Sequence, residues 1–402
     1  MLRWIIFIII FTLIDFYAFQ GFKAVSKHKS IWWAYWLFSL FVICNVIYQI
    51  NTDDRTNGMS HGLMWSFGLM ILSVVPKLLV LLVMFGEDVY RLAKLAIDYF
   101  RGEPLEMASR RAFLGKVALG VAAIPFASIL YGMTRGKYNY QIVKHTLFFD
   151  DLPEAFDGYQ LTHISDVHSG SFDNAEKINH GMDLINQQES DLILFTGDIV
   201  NNVAEEMEPW IPYFAKLKAK DGKYSVLGNH DYGEYVRWEK PGQKEQNFEN
   251  IKGIHPKIGF NLLLNDSVHI QRGDEKIALV GVENWGTRFK KAGDLNIASE
   301  KVSNDDFKIL MSHDPSHWDK EVKLHSNKYH LTLSGHTHGM QFGIEIPGIR
   351  WSPVQYVYKQ WAGIYENAGR FINVNRGFGF LAFPGRVGIW PEISVITLKK
   401  KR

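Results

Sequence analysis

Four long apolar runs in the first third of the chain constrain its fold more than any other feature. They cover Leu2–Phe22, Ile31–Ile50, Leu63–Phe85 and Val117–Tyr131. The first three reach the roughly 20 residues that an α-helix needs to cross a hydrocarbon core about 30 Å thick, and the fourth is shorter. Helices buried in a soluble core would each show a polar face, which these runs lack. The sequence therefore predicts a transmembrane module of about four helices over residues 1–135.

Positive charges cluster at alternate ends of these runs. Lys23, Lys27 and Lys29 follow the first run, whereas the connection at 51–55 after the second run holds a single Arg. Six more basic residues separate the third run from the fourth: Arg91, Lys94, Arg101, Arg110, Arg111 and Lys116. The positive-inside rule then places the N-terminus and residues 132–402 outside the cytoplasm. We expect a multi-pass protein whose catalytic domain is extracytoplasmic.

The segment 109–116 reads Ser-Arg-Arg-Ala-Phe-Leu-Gly-Lys and resembles a twin-arginine export signal, with the Lys one position late. An ordinary basic flank of the fourth run is the alternative. The export interpretation suits an enzyme that acquires metals before crossing, because this route carries folded domains. It predicts a bacterial protein of the inner (cytoplasmic) membrane, with the twin-arginine machinery as a partner. The fourth run shows no clean small-x-small cleavage site, which favours a retained anchor.

Two charges lie inside the predicted spans. Asp15 is about seven residues and Lys77 about eight residues from the cytoplasmic ends of their helices, so both lie some 10–12 Å deep. Equal depth permits an ion pair. Alternatively, Lys77 snorkels beside a kink at Pro76.

Charge and cysteine content exclude several classes of protein. Residues 1–150 carry 15 Lys+Arg against 9 Asp+Glu, and the remainder carries 44−15=29 against 42−9=33. We expect no nucleic-acid partner, because phosphate binding would need a clustered basic excess in the larger part. Cys44 is the only cysteine, which excludes an intrachain disulfide framework and a Cys-rich zinc module. A metal site must therefore use His, Asp, Glu or Asn.

Short alternating segments follow Gly136. One helical pattern covers Ala175–Gln188, with apolar residues at helical spacing. Seven segments rich in β-branched and aliphatic residues predict strands: Gln160–Ile164, Leu192–Thr196, Lys223–Val226, Lys276–Val280, Lys308–Met311, His330–Leu333 and Ile393–Leu398. Strands that alternate with helices indicate an α/β fold over residues 136–402.

Five of these predicted strands end in potential metal ligands. The residues that follow them are Asp166 and His168, then Asp198, then Asn229, His230 and Asp231, then His313, and finally His336 and His338. Ligands bind beyond the carboxyl ends of strands in open α/β sheets, so these side chains are expected to meet at one site. A single such fragment would more often be structural, but five in order indicate a metal centre.

The ordered set Asp-x-His, Gly-Asp, Gly-Asn-His-Asp, His and Gly-His-Thr-His resembles the calcineurin-like metallophosphoesterase superfamily over roughly residues 155–400. The anchored N-terminus, the twin-arginine-like signal and the Ser-Gly-His-Thr-His-Gly form are similar to its bacterial membrane phosphodiesterase branch, which includes enzymes acting on lipid-type substrates. The resemblance implies a four-layer α-β-β-α sandwich and two divalent ions, with Mn, Fe, Zn and Co all compatible.

The resemblance also implies a division of ligands. Asp166, His168 and His338 would hold the first ion. Asn229, His313 and His336 would hold the second ion, and Asp198 would bridge both. Two departures from the family pattern concern substrate fit: Asn201 stands where many members have an acid, and Gly339-Met340-Gln341 stands where many have Gly-Gly-Gln.

Two cations about 3.5–4 Å apart would acidify a shared water, orient it towards phosphorus and neutralise the phosphoryl oxygens. Water is then the expected nucleophile. Asn229 and His230 are expected to bind the phosphate, and His230 is also expected to protonate the leaving oxygen, with Asp231 fixing its tautomer. The alternative is that His230 merely caps a turn. Arg376, beside Gly377, is a further candidate for bidentate phosphate binding.

The remaining histidines and the C-terminal aromatics have weaker patterns. His317, four residues after His313, is the one histidine expected to support a ligand. The others are expected to be surface or structural residues: His163, His180, His255, His325 and His330. The aromatics between Trp351 and Trp390 are expected to pack in a core, or alternatively to form a loop that dips towards lipid.

These observations predict a membrane-anchored, binuclear metal-dependent phosphodiesterase that cleaves a phosphodiester or pyrophosphate bond of a lipid or envelope substrate. A UDP-diacylglucosamine-type pyrophosphatase of lipid A synthesis is an alternative, but that activity is cytoplasmic. A non-catalytic metal-binding scaffold is disfavoured because every ligand is present. A transporter is disfavoured because only two charges lie in the spans. The expected partners are the lipid bilayer and a phosphate ester.

Overall fold

The chain divides into two compact units, and a computed structural model describes residues 2–54, 58–102 and 111–402. One unit comprises Met1–Asp53 and His61–Thr134, and the other comprises Asp54–Ser60 and Arg135–Arg402. The division at Thr134 lies beside the boundary expected at residue 135.

Within its described residues, the first unit contains four helices that are long and apolar enough to cross a membrane. They are α1 (Leu2–Val25), α2 (Lys29–Thr52), α3 (His61–Arg101) and α4 (Arg111–Thr134). Each contains one of the predicted apolar runs, which confirms the four-helix module. Helix α3 has 41 residues and extends well beyond its apolar run. In the twin-arginine-like segment, Ser109, Arg110 and the side chain of Arg111 lie outside the described residues.

Small residues allow the helices of this unit to pack closely. A Cβ on Gly21 of α1 would lie 2.8 Å from Val80 of α3, so only glycine fits at this crossing. One buried cluster joins three helices: Ala18, Val80, Met84, Ala118 and Ala122.

A buried polar network joins α1, α2 and α3. The Nζ of Lys77 lies 2.5 Å from Oδ1 of Asp15. It also donates to the hydroxyls of Ser39 and Ser73, at 2.7 Å each. The hydroxyl of Tyr35 donates to the backbone carbonyl of Asp15 at 2.8 Å. Both charged side chains are buried, so the predicted ion pair is confirmed and Lys77 does not snorkel.

The second unit contains two six-stranded mixed sheets and a separate hairpin. The strands are β1 (Gln141–Phe149), β2 (Gln160–Ile164), β3 (Leu192–Phe195), β4 (Lys223–Ser225), β5 (Asn261–Leu262), β6 (Asp266–Arg272), β7 (Glu275–Gly281), β8 (Lys308–Met311), β9 (Leu331–Ser334), β10 (Ile344–Ile346), β11 (Ile349–Trp351), β12 (Gly363–Asn367), β13 (Arg370–Val374) and β14 (Glu392–Lys400). The first sheet has the order β1-β14-β2-β3-β4-β5, and the second has the order β12-β13-β9-β8-β7-β6. Strands β10 and β11 form the hairpin.

The two sheets pack face to face around the main hydrophobic core. Leu192 and Leu194 of β3 point into this core, where they join Leu279, Ile309 and Leu333 of the second sheet. Alternation along β3 turns Phe195 to the opposite face of the first sheet.

Helices cover the outer faces of the sheets. His255 of α7 (Gln243–Lys257) stacks on Phe195 of the first sheet. Its Nδ1 is hydrogen-bonded to the hydroxyl of Ser225, which also belongs to the first sheet. Short helices α8 (Leu295–Ala298) and α9 (Pro315–Lys320) pack on the second sheet. The remaining helices are α5 (Ala175–Asn186) and α6 (Ile211–Phe214). The predicted four-layer α-β-β-α sandwich is confirmed.

The C-terminal aromatic residues fall into two groups. Phe378, Phe380 and Trp361 are buried, in agreement with the core interpretation. Trp351 and Tyr356 are exposed, so this part of the stretch does not belong to the core.

Candidate metal centre

The seven predicted ligands lie together at one edge of the sandwich. Strands β2, β3 and β4 run parallel to one another, as do β8 and β9, so their carboxyl ends gather the loops that follow them. Six of the seven residues fall into clusters of His and Asp whose ligand atoms lie within 4.8 Å of one another: Asp166, His168, Asp198, His313, His336 and His338. Asn229 joins them through its side-chain oxygen, 2.8 Å from Nδ1 of His336.

One cluster comprises Asp166, His168 and His338. The Nε2 of His338 lies 3.2 Å from Oδ1 of Asp166. All three side chains are buried, so a cation held here would be shielded from bulk water. These are the three residues expected to hold the first ion.

A second cluster comprises Asp198, His313 and His336. The Nε2 of His313 lies 3.3 Å from Nδ1 of His336, whose other neighbour is Asn229. Asn229, His313 and His336 thus converge as expected for the second ion.

Asp198 lies between the two clusters. Its Oδ2 is 3.5 Å from Nε2 of His168 on one side and 3.2 Å from Nε2 of His313 on the other. A single carboxylate oxygen therefore faces ligands of both clusters, which is the placement that a bridging ligand requires.

Five of these residues adopt left-handed backbone conformations that side chains other than glycine rarely adopt. Their φ angles are 52° at Asp166, 48° at His168, 59° at Asp198, 70° at His336 and 49° at His338. Each such residue costs of order 1 kcal/mol or more and persists where the surrounding structure enforces it, most often at functional sites. All five residues belong to the two clusters, so the strained backbone is concentrated at the candidate centre.

The charges of the cluster shift the pKa values of its members. Burial alone would lower the pKa of His313, but the Asp198 and Asp166 carboxylates raise it to about 10. Burial would raise the pKa of Asp166, yet His338, His313 and His168 hold it well below its usual range. Burial lowers the pKa of His168, which favours the neutral ring that binds metals.

The donor atoms fit divalent metal ions. Among the described residues, both ring nitrogens of His168 and the Nε2 of His338 are buried without a hydrogen-bond partner. Buried polar atoms without partners are costly, and a cation bound here would satisfy the Nε2 of His338 and one of the two ring nitrogens of His168. Imidazole and carboxylate donors together suit Mn, Fe, Co and Zn.

His230 is fixed beside Asp198 by its backbone and its ring. Its backbone N–H donates to Oδ1 of Asp198 at 2.8 Å. Its Nδ1 lies 2.7 Å from the carbonyl oxygen of Asn201 and donates to it, so the ring proton of neutral His230 is on Nδ1. Burial lowers the pKa of His230.

The expectation that Asp231 fixes the tautomer of His230 is wrong. Both carboxylate oxygens of Asp231 accept backbone N–H groups, from Gly228 and Asp198 on Oδ2 and from Ile199 on Oδ1. The carbonyl of Asn201 orients His230 instead. Asp231 stabilises the loop that carries Asp198, and burial together with the Asp198 charge raises the pKa of Asp231 to about 7.

Arg376 does not join the centre. Its guanidinium pairs with Glu392 through Nη1 and with Glu345 through Nη2. Two carboxylates neutralise its charge and occupy both terminal nitrogens. This arrangement removes the basis for assigning a phosphate to Arg376.

Three residues near the centre were missed by the sequence reasoning. The buried Arg386 places Nη2 3.1 Å from Nδ1 of His338 and donates to the carbonyl of Gly379. The Tyr358 hydroxyl lies 2.9 Å from Nε2 of His336. Neither Arg386 nor Tyr358 belongs to a sequence motif that would have identified it. Tyr235, whose hydroxyl accepts from Asn229 at 2.9 Å, likewise has no sequence signal.

The other histidines have structural roles or are exposed, as expected. His163, His255, His317 and His330 are buried and hydrogen-bonded to neighbouring side chains. The ring of His317 stacks on Trp285 and its Nδ1 lies 2.8 Å from the hydroxyl of Ser312, so it supports the strand end before His313.

Gly228 provides a test of how tightly this centre is packed. A Cβ at this position would lie 2.1 Å from Oδ1 of Asp198, so Gly228→Ala must displace that carboxylate. We expect a loss of metal affinity of about tenfold or more, because displaced ligand supports typically cost 10–100-fold. Titration of bound metal by calorimetry measures this effect.

Gly253→Ala is the matched control, since a Cβ at this helical position meets nothing within 4 Å. It should leave metal affinity unchanged. Equal affinities of the Gly228→Ala variant and the wild-type chain would contradict the geometry described for Asp198.

Comparison with known families agrees with this arrangement. A family described as "Calcineurin-like phosphoesterase" matches residues 159–340. A second family, described as "Probable Calcineurin-like phosphoesterase, transmembrane domain", matches residues 2–137. The first match covers β2 to β9 of the sandwich, and the second match covers the four apolar helices.

Several curated proteins are similar to this chain. The uncharacterized metallophosphoesterase YkuE of Bacillus subtilis is 31% identical over 303 residues, which cover 73% of this chain and 99% of that protein. The phosphodiesterase YaeI of Escherichia coli is 26% identical, covering 73% of this chain and 100% of that protein. A transmembrane protein with a metallophosphoesterase domain from Danio rerio is 25% identical, covering 72% of this chain and 63% of that protein.

Proposed function

Because this chain belongs to the calcineurin-like phosphoesterase family, a family of metal-dependent phosphoric ester hydrolases, we propose that it is a membrane-anchored phosphodiesterase with two divalent metal ions. It cleaves a phosphodiester or pyrophosphate bond in a lipid or another cell-envelope compound. The observation that carries this proposal is the position of Asp198, whose Oδ2 faces ligands of both clusters at 3.5 and 3.2 Å.

The residues around the centre have separate roles in this proposal. Asp166, His168 and His338 would hold one ion, Asn229, His313 and His336 would hold the other, and Asp198 would be shared between them. When bound, two divalent ions would lower the pKa of a water and neutralise charge on the phosphoryl oxygens. The chain's own contribution is to fix seven ligands after strand ends, and at five of them a strained backbone leaves the side chain few alternative positions.

His230 supplies the general acid in this proposal. Its Nδ1–H donates to the Asn201 carbonyl, so Nε2 is the nitrogen that carries the proton to be donated. His230 acts as an acid in its doubly protonated form, which the Asp198 carboxylate favours against the effect of burial, and it becomes neutral when the Nε2 proton passes to the leaving oxygen. The backbone bond to Asp198 holds the ring beside the metal ligands, and the ligand atoms of His168, Asp198 and His230 lie within 4.8 Å of one another.

Replacing His230 by Ala is expected to lower turnover by about 10²–10⁴-fold, the usual contribution of a positioned acid or base, with metal content retained. Turnover of an aryl phosphodiester by the detergent-purified protein measures the effect, and elemental analysis measures the metals. His180→Ala, at an exposed position of α5, is the control and should match the wild-type chain. Unchanged turnover in His230→Ala would remove this residue from the mechanism.

The membrane location supports a lipid or envelope substrate. Four apolar helices precede the catalytic unit in the chain, so the unit is tethered to a bilayer in this proposal. The basic flanks favour an extracytoplasmic catalytic unit at a bacterial inner membrane, delivered by the twin-arginine route. The name of the E. coli relative, a phosphodiesterase, favours a diester over a monoester.

A panel of substrates tests the substrate class directly. The full-length protein with Mn²⁺ should cleave an aryl phosphodiester or a lipid-linked diester faster than the matching aryl monoester. Exclusive cleavage of the monoester would contradict the diester assignment, and absence of cleavage with two bound metals would favour a binding role.

A further inference from the structure

The hairpin formed by β10 and β11 presents an apolar face to its surroundings. In its register, Ile344 pairs with Trp351, and Ile346 pairs with Ile349. Side chains of directly paired residues lie on the same face of a sheet, and alternate residues share that face, so all four large apolar side chains lie together. They are 39–55% exposed.

The opposite face of the hairpin is polar and is fixed to the catalytic unit. Glu345 accepts from Nη2 of Arg376 at 2.5 Å. Arg350 donates to the carbonyl of Ala362 at 2.9 Å, and its guanidinium lies 5.4 Å from the ring centre of Trp361. These contacts orient the hairpin so that its apolar side must point away from the unit. The exposure of that side is therefore built into the fold.

Both ends of the hairpin are connected to the metal centre. The hairpin begins six residues after His338, and the hydroxyl of Ser352, directly after β11, donates to the carbonyl of Gly339 at 2.7 Å. Tyr358, seven residues after Trp351, reaches His336 with its hydroxyl. The hairpin is thus linked at both ends to the segment that carries the ligands His336 and His338.

Further exposed residues of the same segment extend this surface. Tyr356 is 77% exposed and Val357 is 49% exposed, and the exposed Lys359 follows them. Aliphatic side chains with Trp and Tyr at the margin, next to a basic residue, form the composition that favours the interface of an anionic bilayer.

Chain length supports a bilayer as the occupant of this surface. Six residues, 135–140, separate the last residue of α4 from the first residue of β1. Six residues span at most about 20 Å when fully extended. The catalytic unit is therefore tethered to a helix that is apolar enough to span the membrane, and a lipid surface is always available to it.

We propose that the apolar face of the β10–β11 hairpin, formed by Ile344, Ile346, Ile349 and Trp351, inserts into the interfacial region of the lipid bilayer. Insertion brings the centre containing His336 and His338 to the depth of lipid headgroups. The insertion itself requires no catalysis, whereas its consequence for substrate choice rests on the proposed phosphodiesterase function.

A fluorescent probe on the hairpin tests insertion in the full-length protein. In a Cys44→Ser background, which removes the only cysteine, Ile346→Cys is labelled with the environment-sensitive dye NBD and the protein is reconstituted into phosphatidylglycerol–phosphatidylcholine vesicles. We expect a blue-shifted emission that nitroxide-labelled lipids quench. Asp274→Cys, in the exposed turn between β6 and β7, is the control, and a probe there should show the emission of NBD in water.

Equal emission and equal quenching by aqueous iodide at positions 346 and 274 would overturn the proposal. A probe at position 346 that is shielded from iodide but not quenched by nitroxide lipids would also overturn it, since a protein would then cover the hairpin.

A second variant links insertion to substrate choice. Ile346→Ser/Ile349→Ser should lower cleavage of a vesicle-embedded diester by about tenfold or more, because two exposed apolar side chains that insertion would bury in lipid are lost. Cleavage of a water-soluble aryl diester should remain unchanged, which also shows that the variant folds. Equal loss on both substrates would contradict the link. If the wild-type chain cleaves neither substrate, the phosphodiesterase proposal fails while the fluorescence result still decides insertion.

Discussion

Replacing Asp198 by Asn is expected to abolish most of the activity, with a loss in turnover of about 10³-fold or more. The carboxylate oxygen Oδ2 faces both ligand clusters, at 3.5 Å from His168 and 3.2 Å from His313. An amide in its place removes the negative charge that a pair of cations requires between them. Metal ions supply several kcal/mol of charge stabilisation in the transition state, and about 4 kcal/mol corresponds to 10³-fold in rate.

The measurement is diester turnover together with metal content, at saturating Mn²⁺. Asp183→Asn changes an exposed aspartate on α5 in the same way and should behave like the wild-type chain. If Asp198→Asn retained wild-type turnover with full metal content, the bridging role of this residue would be excluded.

Replacing Lys77 by Met in the transmembrane module is expected to lower the free energy of unfolding by about 3–5 kcal/mol. The variant leaves the buried Asp15 carboxylate without its cation, which lies 2.5 Å away in the native chain. Breaking a buried pair from one side costs more than removing both charges, because the remaining charge stays desolvated. Thermal or denaturant unfolding in detergent measures the loss.

The double variant Asp15→Asn/Lys77→Met should recover most of this stability. Lys94→Met, at an exposed position on the same helix α3, is the control for the loss of a lysine. Equal stability of the Lys77→Met variant, the double variant and the wild-type chain would show that the ion pair contributes nothing to the packing of the helices.

The helices of the first unit and several strands of the second unit could be predicted from the sequence, because each has a local pattern of apolar residues. Each of the four apolar runs lies within one long helix, and β2 and β8 have the predicted bounds. The strands that escaped prediction include β1, β6 and β13, which carry charged or polar residues along much of their length. Their pairing with β14, β7 and β9 compensates for this composition.

The ligand set could be predicted because each ligand follows a recognisable strand. The partners of individual side chains could not, since they come from distant parts of the sequence. Arg376 pairs with Glu345 and Glu392, which lie 31 and 16 residues away. Asp231 accepts backbone N–H groups more than 30 residues earlier in the chain, at Asp198 and Ile199. The left-handed backbone at five of the seven ligands also has no sequence signature, because neighbouring contacts enforce it.

The measurement that tests the central claim most directly is metal content and diester hydrolysis on one preparation of the full-length protein. The account predicts two metal ions per chain, loss of hydrolysis when a chelator removes them, and recovery when Mn²⁺ is resupplied. Undiminished hydrolysis by a chain stripped of metal would contradict the account.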